Sequence, residues 1–235
     1  MRRSILSPPF IVNLRCVVWL TKLAAAVDAW AFPPTCVLCG DAGAHAGFDL
    51  CAACEREFPH CELPATAALP LDLLWSAFHY EFPVAGLVRE LKFGSRLAYA
   101  RVLGLACLHR WQRQPPGLGL DCLMAVPLHV GRLRTRGFNQ SVEIARPVAA
   151  GLGLPLLERA VIRTRATQPQ TLLPAESRHL NVQGAFELLR PVTGLRIGVM
   201  DDVLTTGATL QEIGGVLKAG GASCVVGLTV ARARG

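Results

Sequence analysis

Two aspartates, three threonines and a glycine crowd into Asp201-Asp202-Val-Leu-Thr205-Thr206-Gly207-Ala-Thr209. Hydroxyls and backbone N–H groups gathered at a helix N-terminus hold phosphate well. Carboxylates repel phosphate but accept hydrogen bonds from sugar hydroxyls, or hold a divalent cation that bridges sugar and phosphate. The chemistry implied is therefore a sugar-phosphate site: ribose on Asp201 and Asp202, phosphate among Thr205, Thr206 and Thr209, with Gly207 permitting the turn between them. The elements that must position it are legible on either side. Ile197 to Met200 is an apolar run of buried-strand type, so the acids are expected where the strand leaves its sheet, and residues 209–219 are expected to form a helix. An isolated Asp-Asp before a polar turn would equally suit a solvated helix cap. The Thr-Thr-Gly-x-Thr continuation is what favours the ligand.

A second chemistry is written in the cysteines. Cys36-Val-Leu-Cys39-Gly40 and Cys51-Ala-Ala-Cys54 are two hooks in which two intervening residues let both sulfurs turn toward one ion. Together they complete a four-thiolate set of the zinc type, structural in character because it leaves no open coordination position. His45, His60 and Cys61 are substitute ligands with poorer spacing. The chain has 9 cysteines, and Cys16, Cys61, Cys107, Cys122 and Cys224 are scattered. An odd count with clustered pairs fits a metal site in a reducing compartment, hence the cytoplasm, better than a disulfide framework.

The 235 residues suffice for one sizeable domain and a small appendage. With 51% hydrophobic and 17% charged residues, a packed core is expected and disorder is not. The net charge of +7, largely arginine, favours anionic partners without naming one. Leu14, Val17, Val18, Leu20, Leu23, Ala24 and Val27 recur at helical spacing, predicting an amphipathic helix over 14–30 that ends at Pro33-Pro34. Arg15 and Lys22 interrupt its apolar run, which counts against a signal peptide or a membrane span. The expected divisions are an N-terminal helix in 1–32, a cysteine segment in 33–63 and a larger domain in 71–235, with Pro64 and Pro70 flanking the connector.

Within the larger domain, residues 75–80 read as a strand, 83–94 and 96–113 as helices, and 121–128 as a strand. Lys92, at a helix C-terminus, could reach a phosphate but is more ordinarily a partner of the helix dipole. A turn carrying Arg132, Arg134 and Arg136 follows, then a helix to about Gly151 and a strand over 154–162. A long polar connection runs from Arg163 past Arg178 to Asn181. Phe186-Glu-Leu-Leu precedes the acid-threonine stretch, and Cys224 to Val230 is expected to form a last strand. Alternating strands and helices imply an α/β fold with a mainly parallel sheet and ligands at the strands' C-terminal ends.

The acid-threonine stretch resembles the ribose-phosphate loop of type I phosphoribosyltransferases. The run Arg134-Thr-Arg136-Gly137-Phe138-Asn139-Gln140, the cysteine pairs, Thr167-x-x-Gln170 and Arg178-x-x-Asn181 together resemble the ComF family over roughly 33–232. That resemblance implies a zinc-ribbon-like N-terminal segment joined to a phosphoribosyltransferase-type domain, and an association with competence and DNA uptake. It implies phosphoribosyl pyrophosphate (PRPP) with Mg2+ at Asp201–Thr209, and pyrophosphate on Arg132, Arg134 and Arg136. Arg163 and Arg178 would lie in a lid over the sugar. Many members carry a further cysteine pair, where this chain has only Cys61, so one zinc is the limit expected. No motif names an acceptor or a catalytic residue. Transfer of phosphoribosyl and non-catalytic handling of single-stranded DNA or a partner of the DNA-uptake machinery both stay open, Phe138 being a stacking candidate in the latter.

Overall fold

The computed structural model describes residues 35–42, 47–62, 70–113, 117, 119–166 and 177–234, with only the backbone of 177–179. It divides into compact units comprising residues 1–52 and 53–235. The helix expected over 14–30 lies outside the described residues.

In the first unit the chain turns back on itself. Thr35 bridges Ala42, Gly40 takes a left-handed φ of +79°, and its N–H donates to the Cys36 carbonyl at 2.8 Å. The N–H of Val37 donates to the Asp49 carbonyl at 3.0 Å, bringing the second hook alongside the first. A short helix, α1 (Ala52–Arg56), follows Cys51.

The second unit contains a parallel sheet of four strands among the described residues: β1 (Leu73–His79), β2 (Cys122–Ala125), β5 (Arg196–Leu204) and β6 (Cys224–Arg232), in the order β1-β6-β5-β2. The central strands are nearly continuous apolar runs because both faces are covered. In β6 every residue from Val225 to Ala231 is buried. The one polar member, Thr229, meets Ser76 of β1 hydroxyl to hydroxyl at 2.7 Å. Helices α2 (Val84–Phe93), α3 (Ala98–Arg113), α4 (Val130–Arg136), α5 (Gln140–Leu152) and α7 (Ala208–Ala219) connect and cover these strands. The α3–α5 crossing is close because Gly104 has no side chain. A Cβ there would lie 2.5 Å from the Ile144 carbonyl oxygen and from Pro147.

Three expectations are corrected. The strand begun at Ile197 does not end before the acids, since β6 continues beside it and pairs Thr229 with Asp201, Ala231 with Val203 and Arg232 with Leu204. Residues 154–162 do not form one strand of the main sheet. Leu156 makes a single parallel bridge to Leu123, and Arg159 then adopts a φ of +56°. Only β3 (Val161–Arg163) extends beyond, pairing antiparallel with β4 (Phe186–Leu188) in a separate hairpin. Finally, the arginine turn is helical: His129 caps α4 by accepting the Gly131 N–H, and Gly137, at φ +82°, ends it.

Candidate functional site

Asp201 and Asp202 are consecutive on an extended strand, so their side chains diverge and take different partners. The Asp201 Oδ1 accepts the Ser141 hydroxyl at 3.0 Å and the Asp202 N–H at 2.9 Å. Ser141 is held for this by its own helix start. Asn139 caps α5 by accepting the Ser141 N–H and donates to the Val126 carbonyl at the end of β2. Asp202 instead pairs with Lys92 of α2, Nζ to Oδ1 at 2.9 Å, with side-chain exposures of 20% and 6%. The Asp202 Oδ2 is buried without a hydrogen-bond partner.

The electrostatics follow the geometry. Burial pushes the Asp201 carboxyl well above the ordinary carboxylate range, and the Asp202 charge pushes it the same way. Its hydrogen bond from Asp202, the Lys92 charge and the Ser141 hydroxyl only partly offset this. For Lys92, burial alone would lower the ammonium pKa, but the charge and hydrogen bond of Asp202, with the charge of Asp201, raise it overall. Lys92 is therefore a permanent cation at the acid pair, a role beyond the dipole partner expected from its place in α2.

The linkage for Asp201 gives a signed expectation. Its folded pKa lies above its unfolded value, so stability declines as pH rises from the unfolded value through the folded one, and the penalty is complete above that window. Asp201→Asn should melt at a higher temperature than the parent at about pH 8, with the gain shrinking toward pH 4. An equal shift at both pH values, or a lower melting temperature at the higher one, would contradict the burial argument.

Beyond the acids, β5 ends at Leu204 and Gly207, at φ +79°, starts α7. A side chain at that φ is strained, which explains the glycine. No side chain of the N-cap residue closes the helix start; Thr206 Oγ1 approaches the Ala208 N–H at 3.5 Å. Asp201, Thr205, Gly207 and Thr209 line one recess, and Asp202 does not. The two acids of the motif are thus unequal: one faces the loop and the other faces Lys92.

The arginines separate as well. Burial lowers the Arg132 pKa, with a further push from Arg136. Arg163 is held down to about 10 by burial and then by the Arg132 charge, against the opposing pull of Asp201. Arg132 and Arg163 are therefore electrostatic neighbours of each other, and Arg163 of Asp201. Arg134 is exposed, while Arg136 donates to Gln140 Oε1. Arg163 also lies over the Phe186 ring at 5.3 Å. Arg178 is on α6 (Ser177–Val182), but its side chain, Thr167 and Gln170 lie outside the described residues. The sequence does not single out Ser141; its hydroxyl reaches Asp201 only because β2 and β5 pair and bring the start of α5 beside the acids.

The sulfurs of Cys36, Cys39, Cys51 and Cys54 all lie within 4.8 Å of one another, and Cys39 and Cys51 are 3.8 Å apart. A tetrahedral ion with sulfur at about 2.3 Å requires sulfur separations of about 3.8 Å, so the cluster could hold a metal ion. Burial works against ionisation of Cys36, but backbone N–H groups of Cys51, Cys39 and Leu38 directed at the sulfur outweigh it and bring the thiol down to about 6.

No family model matches the chain. It is 36% identical over 216 residues to DNA utilization protein YhgH of Escherichia coli K12, covering 88% of this chain and 92% of the relative. It is 30% identical over 194 residues to Competence protein F of Haemophilus influenzae, covering 72% and 84%. The chain belongs to the ComF family. The α/β architecture with a parallel sheet and an N-terminal cysteine cluster is thus the ComF chain's own. Among solved structures, a purine phosphoribosyltransferase from Pyrococcus horikoshii is 14% identical at a TM-score of 0.34, covering 57% of the ComF chain and 82% of the other. No helix of the described residues is long and apolar enough to cross a membrane.

Proposed function

We propose that this ComF protein binds PRPP, with ribose hydroxyls on Asp201 and the 5-phosphate at Thr205, Thr206, Gly207 and Thr209. The observation that carries the reading is the convergence of Asp201 with the threonine loop and the start of α7 at the end of one strand. A helix start supplies N–H groups and a positive dipole end to an anion. Arg132, Arg134, Arg136 and Arg163 supply guanidinium groups for the pyrophosphate, and the segment from Arg163 through Arg178 to Asn181 closes over the sugar. Mg2+ would be held by Asp201 together with ligand oxygens, and when bound it neutralises charge on the pyrophosphate. Zinc on Cys36, Cys39, Cys51 and Cys54 is structural, and reduced thiols in that role support a cytoplasmic location. Lys92 pairs with Asp202, and its charge partly offsets the burial of Asp201.

Titration with PRPP and Mg2+, followed by thermal melting, tests this. The melting temperature should rise in the parent and stay flat in Asp201→Asn; no rise at about 1 mM PRPP would overturn the reading. Release of pyrophosphate on adding a base or an amine would show that phosphoribosyl is transferred; binding without release would show a sensor.

A second reading is association with single-stranded DNA, favoured by Phe82, just before α2, and Phe93, its last residue, which are 86% and 76% exposed. Stacked bases and arginine-bound phosphates would use such a surface. An oligothymidylate arm of the same titration decides it: binding that weakens steeply with salt supports this reading, and absent or salt-independent binding rejects it.

A further inference from the structure

One strand away from the threonine loop, the C-terminal ends of β1 and β6 border a cavity of about 370 Å³ lined by His60, Cys61, Glu62, His79, Arg232 and Arg234. His79 ends β1 and Arg232 ends β6. Arg232 pairs with Leu204, the residue immediately before Thr205, so cavity and loop open on the same edge of the sheet.

The cavity wall is built by the backbone. Residues 59–61 run antiparallel beside β1: the His79 N–H donates to the Pro59 carbonyl at 2.7 Å, and the Cys61 N–H to the Ala77 carbonyl at 3.1 Å. From α3, Arg110 donates to the Cys61 carbonyl at 2.6 Å. His60 and Cys61 are therefore fixed against a strand.

The lining calls for an anion. Arg234 is engaged by Glu81 at 2.7 Å, while the Arg232 guanidinium donates no hydrogen bond to any described residue. The His79 Nδ1 is buried without a partner. Burial and the charges of Arg110 and Arg113 hold His60 below the usual imidazole pKa, so at neutral pH it is an uncharged hydrogen-bonding group. Burial raises the Cys61 thiol overall, with the charges of Arg232, Arg110 and Arg234 pulling it down and that of Glu81 pushing it up. The volume lies at the small end of the range for small-molecule sites, about 300–1,000 Å³, which suits a ligand of one or two rings.

We propose that this cavity binds a small molecule bearing an oxyanion, a carboxylate or a phosphate monoester, with Arg232 as its charge partner and His79 and His60 as hydrogen-bonding groups. An arginine fork binds either oxyanion through paired N–H groups. The cavity and the threonine loop open on the same edge of the sheet, and oxyanion binding in the cavity does not rest on the PRPP reading.

The test is histidine-ring NMR on the full chain at fixed pH, titrated separately with sodium benzoate, sodium phosphate and adenosine monophosphate. His60→Gln and His79→Gln identify the two ring signals. Both signals should shift saturably, and the anion saturating at the lowest concentration identifies the headgroup. Arg232→Gln should weaken binding by about tenfold, and Arg234→Gln by a smaller factor. Asp201→Asn should leave the titration unchanged, even if it abolishes a response to PRPP. Absence of any shift at about 10 mM of all three anions overturns the proposal. Equal binding in both arginine variants does so too, as does loss of the shifts in Asp201→Asn. If Arg232→Gln fails to fold, the more exposed Arg234→Gln decides.

Discussion

Lys92→Met is expected to destabilise the protein by about 3 kcal/mol, because it leaves the buried Asp202 carboxylate without its counter-ion. Nothing else among the described residues stands ready to replace Lys92, since Asp202 Oδ2 already lacks a hydrogen bond. Adding Asp202→Asn to the Lys92→Met chain should recover much of the loss, and the coupling in that double-mutant cycle measures the pair itself. Denaturant melts read all of this. A loss below about 1 kcal/mol would place the pair with solvated surface bridges and sink the argument.

Metal removal has the other large expected effect. Protein purified without chelator should contain one zinc per chain, released on modifying the thiols. Because structural zinc contributes roughly 10 kcal/mol or more in small metal-held folds, stripping it should unfold the segment around Cys36–Cys54. Proteolysis at residues 35–62 would report that opening, and Cys51→Ser should reproduce it. Zinc-free protein with the same protease resistance as untreated protein would rule out the structural role.

The sequence carried what is local and lost what is distant. Both Cys-x-x-Cys hooks and the acid-threonine loop are contiguous patterns, so an expectation about their chemistry needs no fold. The extent of β5 was not legible, because Asp201 and Asp202 interrupt its apolar run and its last residues continue the strand by pairing with β6. The split of Asp201 from Asp202 was hidden for the same reason: a turn would let both face one ligand, whereas a strand sends them apart. Lys92 was underestimated because helix periodicity shows only which face it occupies, and its partner arrives on another element far along the chain. The three arginines of α4 looked equivalent in sequence, but only Arg132 is set beside Arg163. The hairpin of β3 and β4 escaped notice because residues 154–162 read as one strand, with no signal of the left-handed turn at Arg159.

The Ser76–Thr229 contact carries a consequence for how the chain is made. It joins the first strand of the sheet to the last, and a slip of one residue would strand each hydroxyl against apolar neighbours. During synthesis β1 leaves the ribosome long before β6 exists, so its hydrogen-bonding edge has no partner in its own sheet through most of translation. Such high contact order makes completion of the sheet a late and slow event. The pair of hydroxyls then acts as a proofreading mark, satisfied only when the final strand seats in the correct register.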